Sequence, residues 1–166
     1  GGEGGGEGGG EGGGAASSAH ALEQLGDACA AVDALGDNVR REMLAWFCNL
    51  TFAPYRHIFH PYGDGGSLER TEVRYTWLRQ ALKKYAARYA GVFPASWQMP
   101  CVLAVEFCKI TRMHLAEILQ EAGRAHSLQV AVLTHALVKT IDFETEMHRL
   151  FGPTAARIAS SDFQIV

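Results

Sequence analysis

The chain has 166 residues, enough for one domain, with 15 basic and 18 acidic side chains and a formal net charge of −3. Glu3, Glu7 and Glu11 account for the excess, so the remainder is charge-balanced and gives no reason to expect a nucleic-acid partner. Cysteines at 29, 48, 101 and 108 form no C-x-x-C pair and suit reduced thiols better than a disulfide framework or a zinc knot; no signal-peptide pattern opens the chain, and no apolar run approaches the roughly eighteen residues of a membrane span.

Residues 1–14 read GGEGGGEGGGEGGG, without one apolar side chain, and predict a flexible Gly/Glu-rich segment over 1–18. Gly4, Gly6 and Gly9 formally match G-x-G-x-x-G, but no strand precedes them and the match is empty. Over 19–36, Leu22, Leu25, Cys29 and Val32 recur at spacings of three, four and three, a coiled-coil-like seam. Packing on the following helix and contact with another chain both suit it.

Gly36-Asp37-Asn38 interrupts the pattern, with Asp37 placed to cap the next helix. Val39, Met43, Trp46, Phe47 and Leu50 line one side of that helix, and Thr51 is placed to cap a short third one with Pro54 in its first turn. HPYGDGGS (60–67) is a loop by composition. A helix follows over about 68–90, with Tyr75, Leu78, Leu82, Tyr85 and Tyr89 on one face. GVFPASWQMP interrupts, and Pro100 suits the first position of a helix running to about Gly123. The last helix carries Val130, Leu133, Leu137, Ile141, Met147 and Phe151 before the stop signal Gly152-Pro153; the polar tail 153–166 is assigned no structure. The fold class expected is all-α, a helical bundle or rod of about five to six helices, with the bundle over 37–152.

VEFCKITR (105–112) looks most like chemistry. At about 100° per residue, Cys108 shares a side with Cys101, Ala104, Leu115 and Leu119 and is expected to be buried as a small apolar group. Lys109 is expected to pair with Glu106. Arg112, four residues beyond Cys108, suits lowering of a thiol pKa, but His114 points about 120° away and supplies no base. His57 with His60 and His114 with Glu117 lack the further carboxylates or cysteines of a metal centre, so neither a metal nor a cofactor is expected, and surface or capping roles are expected for the histidines. No G-x-S-x-G, H-E-x-x-H or G-x-x-x-x-G-K-[ST] motif occurs. Arg70, Arg74, Arg79, Lys83, Lys84 and Arg88 make residues 70–88 locally basic, but they spread around the helix and suit a solvated face better than an acidic-membrane patch.

LGDACAAVDAL (25–35), RYTWLRQALKKY (74–85), FPASWQMP (93–100), EFCKITRMHLAEIL (106–119) and ALVKTIDFE (136–144) together make the chain resemble the vacuolar protein sorting-associated protein 53 family over about 22–152. The most specific elements are Arg74-Tyr75-x-Trp77, Phe93-Pro94-x-x-Trp97 and Phe107-Cys108-x-x-Thr111-Arg112. The resemblance implies a non-enzymatic subunit of the Golgi-associated retrograde protein (GARP) complex and its endosomal relative (EARP), tethers that capture endosome-derived vesicles at the trans-Golgi network. It implies sister subunits as partners through coiled-coil helices, SNAREs and small GTPases for the full-length protein, peripheral membrane association, and a place on the cytosolic face of trans-Golgi and endosomal membranes. Family members are several times longer, so the chain resembles a fragment. The motif residues are expected to pack, with Trp77 and Trp97 filling gaps where the chain turns. A thiol enzyme built on Cys108, or a generic membrane-surface module, are the alternatives.

Overall fold

Five α-helices and two 3-10 turns make up residues 13–160, the part of the chain that the computed structural model describes. Residues 1–12 and 161–166, with most of the Gly/Glu-rich run and the end of the tail, lie outside the described residues, as do the side chains of 13–19, 22 and 160. The helices are α1 (Gly13–Leu35), α2 (Asp37–Ile58), α3 (Thr71–Tyr89), α4 (Met99–Arg124) and α5 (Val130–Ser160); the 3-10 turns are Leu68–Arg70 and Ala95–Trp97. The architecture is all-α, a bundle in which α4 packs against α2, α3 and α5, α3 packs against α5, and α1 lies along α2.

A single residue joins α1 to α2. Gly36 has φ of 103° and ψ of 173°, a region open to glycine alone, so the break is sharp. Asp37 is the first helical residue rather than the cap; its carboxylate makes no capping bond and instead pairs with Arg40 one turn on.

The short third helix expected from Thr51 does not exist separately, because α2 continues through Pro54. Proline inside a helix costs about 3 kcal/mol, since one hydrogen bond is lost and the ring crowds the preceding turn. Phe47, Cys48 and Phe52 before it and Tyr55 and Phe59 after it are all buried, and each buried aromatic contributes on the order of 2–3 kcal/mol. Burial on both sides of the proline outweighs its cost.

Phe52, Tyr55, Trp77, Phe107, Tyr75 and Phe143 form the centre of the core. Phe107 of α4 contacts Tyr55 of α2, Tyr75 of α3 and Phe143 of α5, with ring centroids 5.1, 6.4 and 5.8 Å apart. Trp77 is half-buried in the middle of α3 against Phe52 and Tyr55, not at a chain turn. Trp97 does sit at a turn, buried beside Phe93.

The rotation of α5 is set by α3. Tyr75 stacks on Phe143 at 4.1 Å, its hydroxyl lies 2.7 Å from that of Thr140, Arg79 binds Glu146 at 2.6 Å and Lys139 binds Glu72 at 3.0 Å. These contacts turn Ala136, Phe143 and Met147 inward; of the stripe expected for this helix Met147 is buried and Phe151 packs on the core, but Val130, Leu133, Leu137 and Ile141 are exposed. Gly152 kinks α5 with φ of 29° and ψ of −117°. The Gly-Pro pair ends one helical run as expected, yet Pro153, whose fixed φ suits a first turn, opens another that reaches Ser160 in the segment assigned no structure.

Candidate interaction surfaces

The seam on α1 divides in two. Cys29 is buried, with its thiol 3.5 Å from the Val92 carbonyl that accepts from it, and Val32 packs against the core. Trp97 Nε1 donates to both carboxylate oxygens of Asp33, at 2.9 and 3.1 Å, and Arg40 donates to the same carboxylate at 3.0 Å. This clamp fixes the last turns of α1 to α2 and to the turn before α4. Leu25, one turn earlier, is 47% exposed, and Leu35 projects outward as well. The side chain of Leu22 lies outside the described residues. The seam thus spends its C-terminal half inside the chain and presents Leu25 to solvent.

Two of the motif residues, Arg74 of α3 and Thr111 of α4, meet in a buried polar network. Arg74 is fully buried, far from the solvated basic face on which the sequence placed it. Its Nη2 donates to the carbonyls of Phe59 and Gly65, both at 3.1 Å, and Nη1 donates to the Tyr55 hydroxyl at 3.2 Å. Tyr55 is in turn hydrogen-bonded to Thr111 at 2.7 Å. His114 is buried too, rather than on the surface; its Nδ1 lies 3.4 Å from Arg74 Nη1 and its ring stacks parallel to Tyr55. Burial first, and the Arg74 guanidinium second, hold the His114 imidazole below its ordinary pKa. Of the other basic residues in this stretch, Arg79 is engaged by Glu146, while Arg70, Lys83, Lys84 and Arg88 are exposed. His57 and His60 do not share a helix face, because α2 ends at Ile58 and His60 lies in the loop.

Cys108 is not in the core. It opens onto an apolar groove of about 800 Å³ between α4 and the end of α5, near Met113, Phe143, Met147 and Phe151, with Arg112, Glu144 and His148 on the same walls. Cys101 and Ala104 are buried as expected, but Leu119 is exposed, because the buried arc of α4 is centred on Phe107, Ile110, Thr111 and His114. The groove walls withhold water from the Cys108 thiol, and with the Glu144 carboxylate adding to the effect its pKa is pushed up to about 11. On the order of one thiol in ten thousand is then ionised at pH 7, the reverse of an activated nucleophile. Arg112 does not offset this. Lys109 approaches Glu106 at 3.9 Å, and Glu106 is buried with Oε2 lacking a hydrogen-bond partner. Desolvation therefore raises the Glu106 pKa against the pull of Lys109 and Arg56. Among the described residues no group of three or more His, Cys, Asp or Glu side chains is placed to hold a metal ion, and no helix is long and apolar enough to cross a membrane.

Sequence reasoning missed the Arg74 network because two of its acceptors are backbone carbonyls. The signal available was angular: Arg74 lies within about 40° of both Leu78 and Tyr85 on the helical wheel, inside the buried arc.

The family described as "Vps53, N-terminal" matches residues 8–164. Similar proteins include vacuolar protein sorting-associated protein 53 A of Arabidopsis thaliana, 36% identical over 131 residues that make up 79% of this chain and 15% of the relative. The 53 B protein of the same plant is 30% identical over 79% of this chain and 22% of its own length, and the Caenorhabditis elegans homolog is 30% identical over 78% and 16%. The chain thus spans about a sixth to a fifth of these relatives. No solved structure matches it.

Proposed function

The chain belongs to the Vps53 N-terminal family, and from that premise we propose that it is a non-enzymatic segment of a multisubunit tethering complex of the GARP and EARP kind. In this reading it serves retrograde transport of endosome-derived vesicles to the trans-Golgi network and endosomal recycling, on the cytosolic face of those membranes. SNAREs and small GTPases are, in the same reading, partners of the full-length protein.

The observation that carries the reading is the division of α1. Its last turns are clamped to the bundle through Asp33, Trp97 and Cys29, while Leu25 extends the same seam with its side chain open to solvent. A helix anchored at its C-terminal end that presents Leu25 to solvent on the same seam is suited to pairing with helices of sister subunits. The proportion of polar work inside the bundle supports the same reading: Arg74, Tyr55, Thr111 and His114 bind one another and the backbone. The direction of the Cys108 shift speaks against the thiol-enzyme alternative. Affinity purification of the full-length protein carrying Leu22→Asp and Leu25→Asp tests the proposal. Loss of sister subunits is expected, and full retention of them would exclude the seam as the contact.

A further inference from the structure

The segment from Phe59 to Ser67 is a tight knot held by one side chain. A Cβ on Gly65 would lie 1.9 Å from the Ile58 carbonyl oxygen, and one on Gly66 would lie 1.9 Å from that of Pro61, so the backbone passes itself at a distance only glycine allows. Within the knot Gly63 N–H donates to the His60 carbonyl and Gly66 N–H to the Gly63 carbonyl. Both ends are tied to α3 by Arg74 Nη2, through the carbonyls of Phe59 and Gly65.

The guanidinium that makes this tie has no carboxylate among its bonded partners. Two carbonyls, the Tyr55 hydroxyl and the His114 imidazole surround it, the Phe59 ring lies 4.9 Å from Cζ, and Nε has no hydrogen-bond partner. A buried cation answered only by neutral groups tolerates no second charge beside it.

We propose that His114 is the acid-sensitive pin of a latch: as a neutral imidazole it lets Arg74 hold the 59–67 segment closed, and a proton on it releases that segment. The neutral ring can offer Nδ1 as an acceptor to Arg74 Nη1 at 3.4 Å. Once protonated, both ring nitrogens are donors, and two cations face each other at that distance out of water. The groups around the imidazole are Arg74 of α3, Tyr55 and Arg56 of α2, His60 of the loop and Glu117 of α4. Glu117 alone favours the charged ring, against Arg74, His60 and Arg56. The folded chain therefore binds this proton less readily than the unfolded chain does. The closure is fully present above the ordinary imidazole value of 6.5 and is lost as pH falls from there toward the lower folded value.

Amide hydrogen exchange on the whole chain tests the latch, with protection corrected for the intrinsic effect of pH. Between pH 7.5 and 5.5, protection at Gly63 and Gly66 is expected to fall severalfold relative to α4, up to the limit of about tenfold that one proton with an ordinary value of 6.5 in the open state allows. His114→Gln, a neutral side chain that still accepts, is expected to abolish the dependence, and His60→Gln to leave it intact. Should the glutamine variant not fold, the unaltered chain still decides the matter by NMR, where the Gly65 and Gly66 amide shifts must titrate with the His114 ring at one midpoint below 6.5. Protection that is flat with pH, a His114→Gln variant that opens as the parent does, a His60→Gln variant that no longer opens, or amide and ring midpoints that differ would each overturn the proposal.

Discussion

Replacing Arg74 by Met isolates the contribution of the buried guanidinium, because the thioether chain retains most of the aliphatic stem and removes every donor. Left behind are the carbonyls of Phe59 and Gly65 and Nδ1 of His114; the Tyr55 hydroxyl keeps Thr111. Each orphaned buried acceptor costs about 1–3 kcal/mol. Three of them would cost about 3–9 kcal/mol, from which several kcal/mol must be subtracted because a cation no longer has to be stripped of water. The net expected is a loss of about 3 kcal/mol in urea denaturation followed by fluorescence of the buried Trp97 and half-buried Trp77. For a domain of this size that corresponds to a fall in Tm of about 6–12 °C. Arg74→Lys should recover less than half of the loss, since one ammonium cannot reproduce the planar fork that reaches both carbonyls. A loss below about 1 kcal/mol for the Met variant would refute the reasoning, because the network would then be decorative.

Three further outcomes follow from single side chains. Glu106→Gln should stabilise the chain by about 1 kcal/mol at pH 7, measured by the same denaturation, because Oε2 is buried without a hydrogen bond and burial raises the carboxyl pKa against the pull of Lys109 at 3.9 Å. With the pKa raised, the folded state holds the proton more tightly than the unfolded state, so the parent should gain stability as pH falls toward the ordinary carboxylate range while the Gln variant lacks that gain. Alkylation of Cys108 should be slow at pH 7 and rise with pH toward a midpoint of about 11, and Cys48, whose thiol burial pushes up to about 12, should be protected throughout; mass spectrometry of the labelled peptides reads both. Gly65→Ala should cost at least about 2 kcal/mol in thermal melts, since its Cβ meets the Ile58 carbonyl at 1.9 Å and backbone must move.

Helical periodicity made the class of the fold legible, along with the loop at 60–67 and the interruption around Phe93-Pro94, because these depend on local pattern and on Gly and Pro placement. The errors lie where tertiary packing overrides a local signal. Pro54 stays within α2 because aromatic burial on both sides exceeds its cost, and the inward face of α5 is selected by Tyr75, Arg79 and Glu72 across the bundle rather than by its own leucines. Cys108 reads as a core residue on a wheel, yet it faces the groove between α4 and the end of α5, and a wheel holds no account of how closely a neighbouring helix approaches. Arg74 was legible as part of a specific motif but not as a buried tie. Its own angle on the helix pointed inward, while its partners at Phe59 and Gly65 are carbonyls that any sequence would carry.

The central claim, that the N-terminal half of the α1 seam pairs with helices of other subunits while the rest of the molecule holds that helix in place, is tested most directly by quantifying sister subunits that co-purify with the full-length protein. Leu22→Asp with Leu25→Asp should remove them while the melting temperature of this bundle stays within about 2 °C of the parent, since Leu25 already faces water. Undiminished recovery of every sister subunit, or recovery lost only together with the fold, would contradict the account.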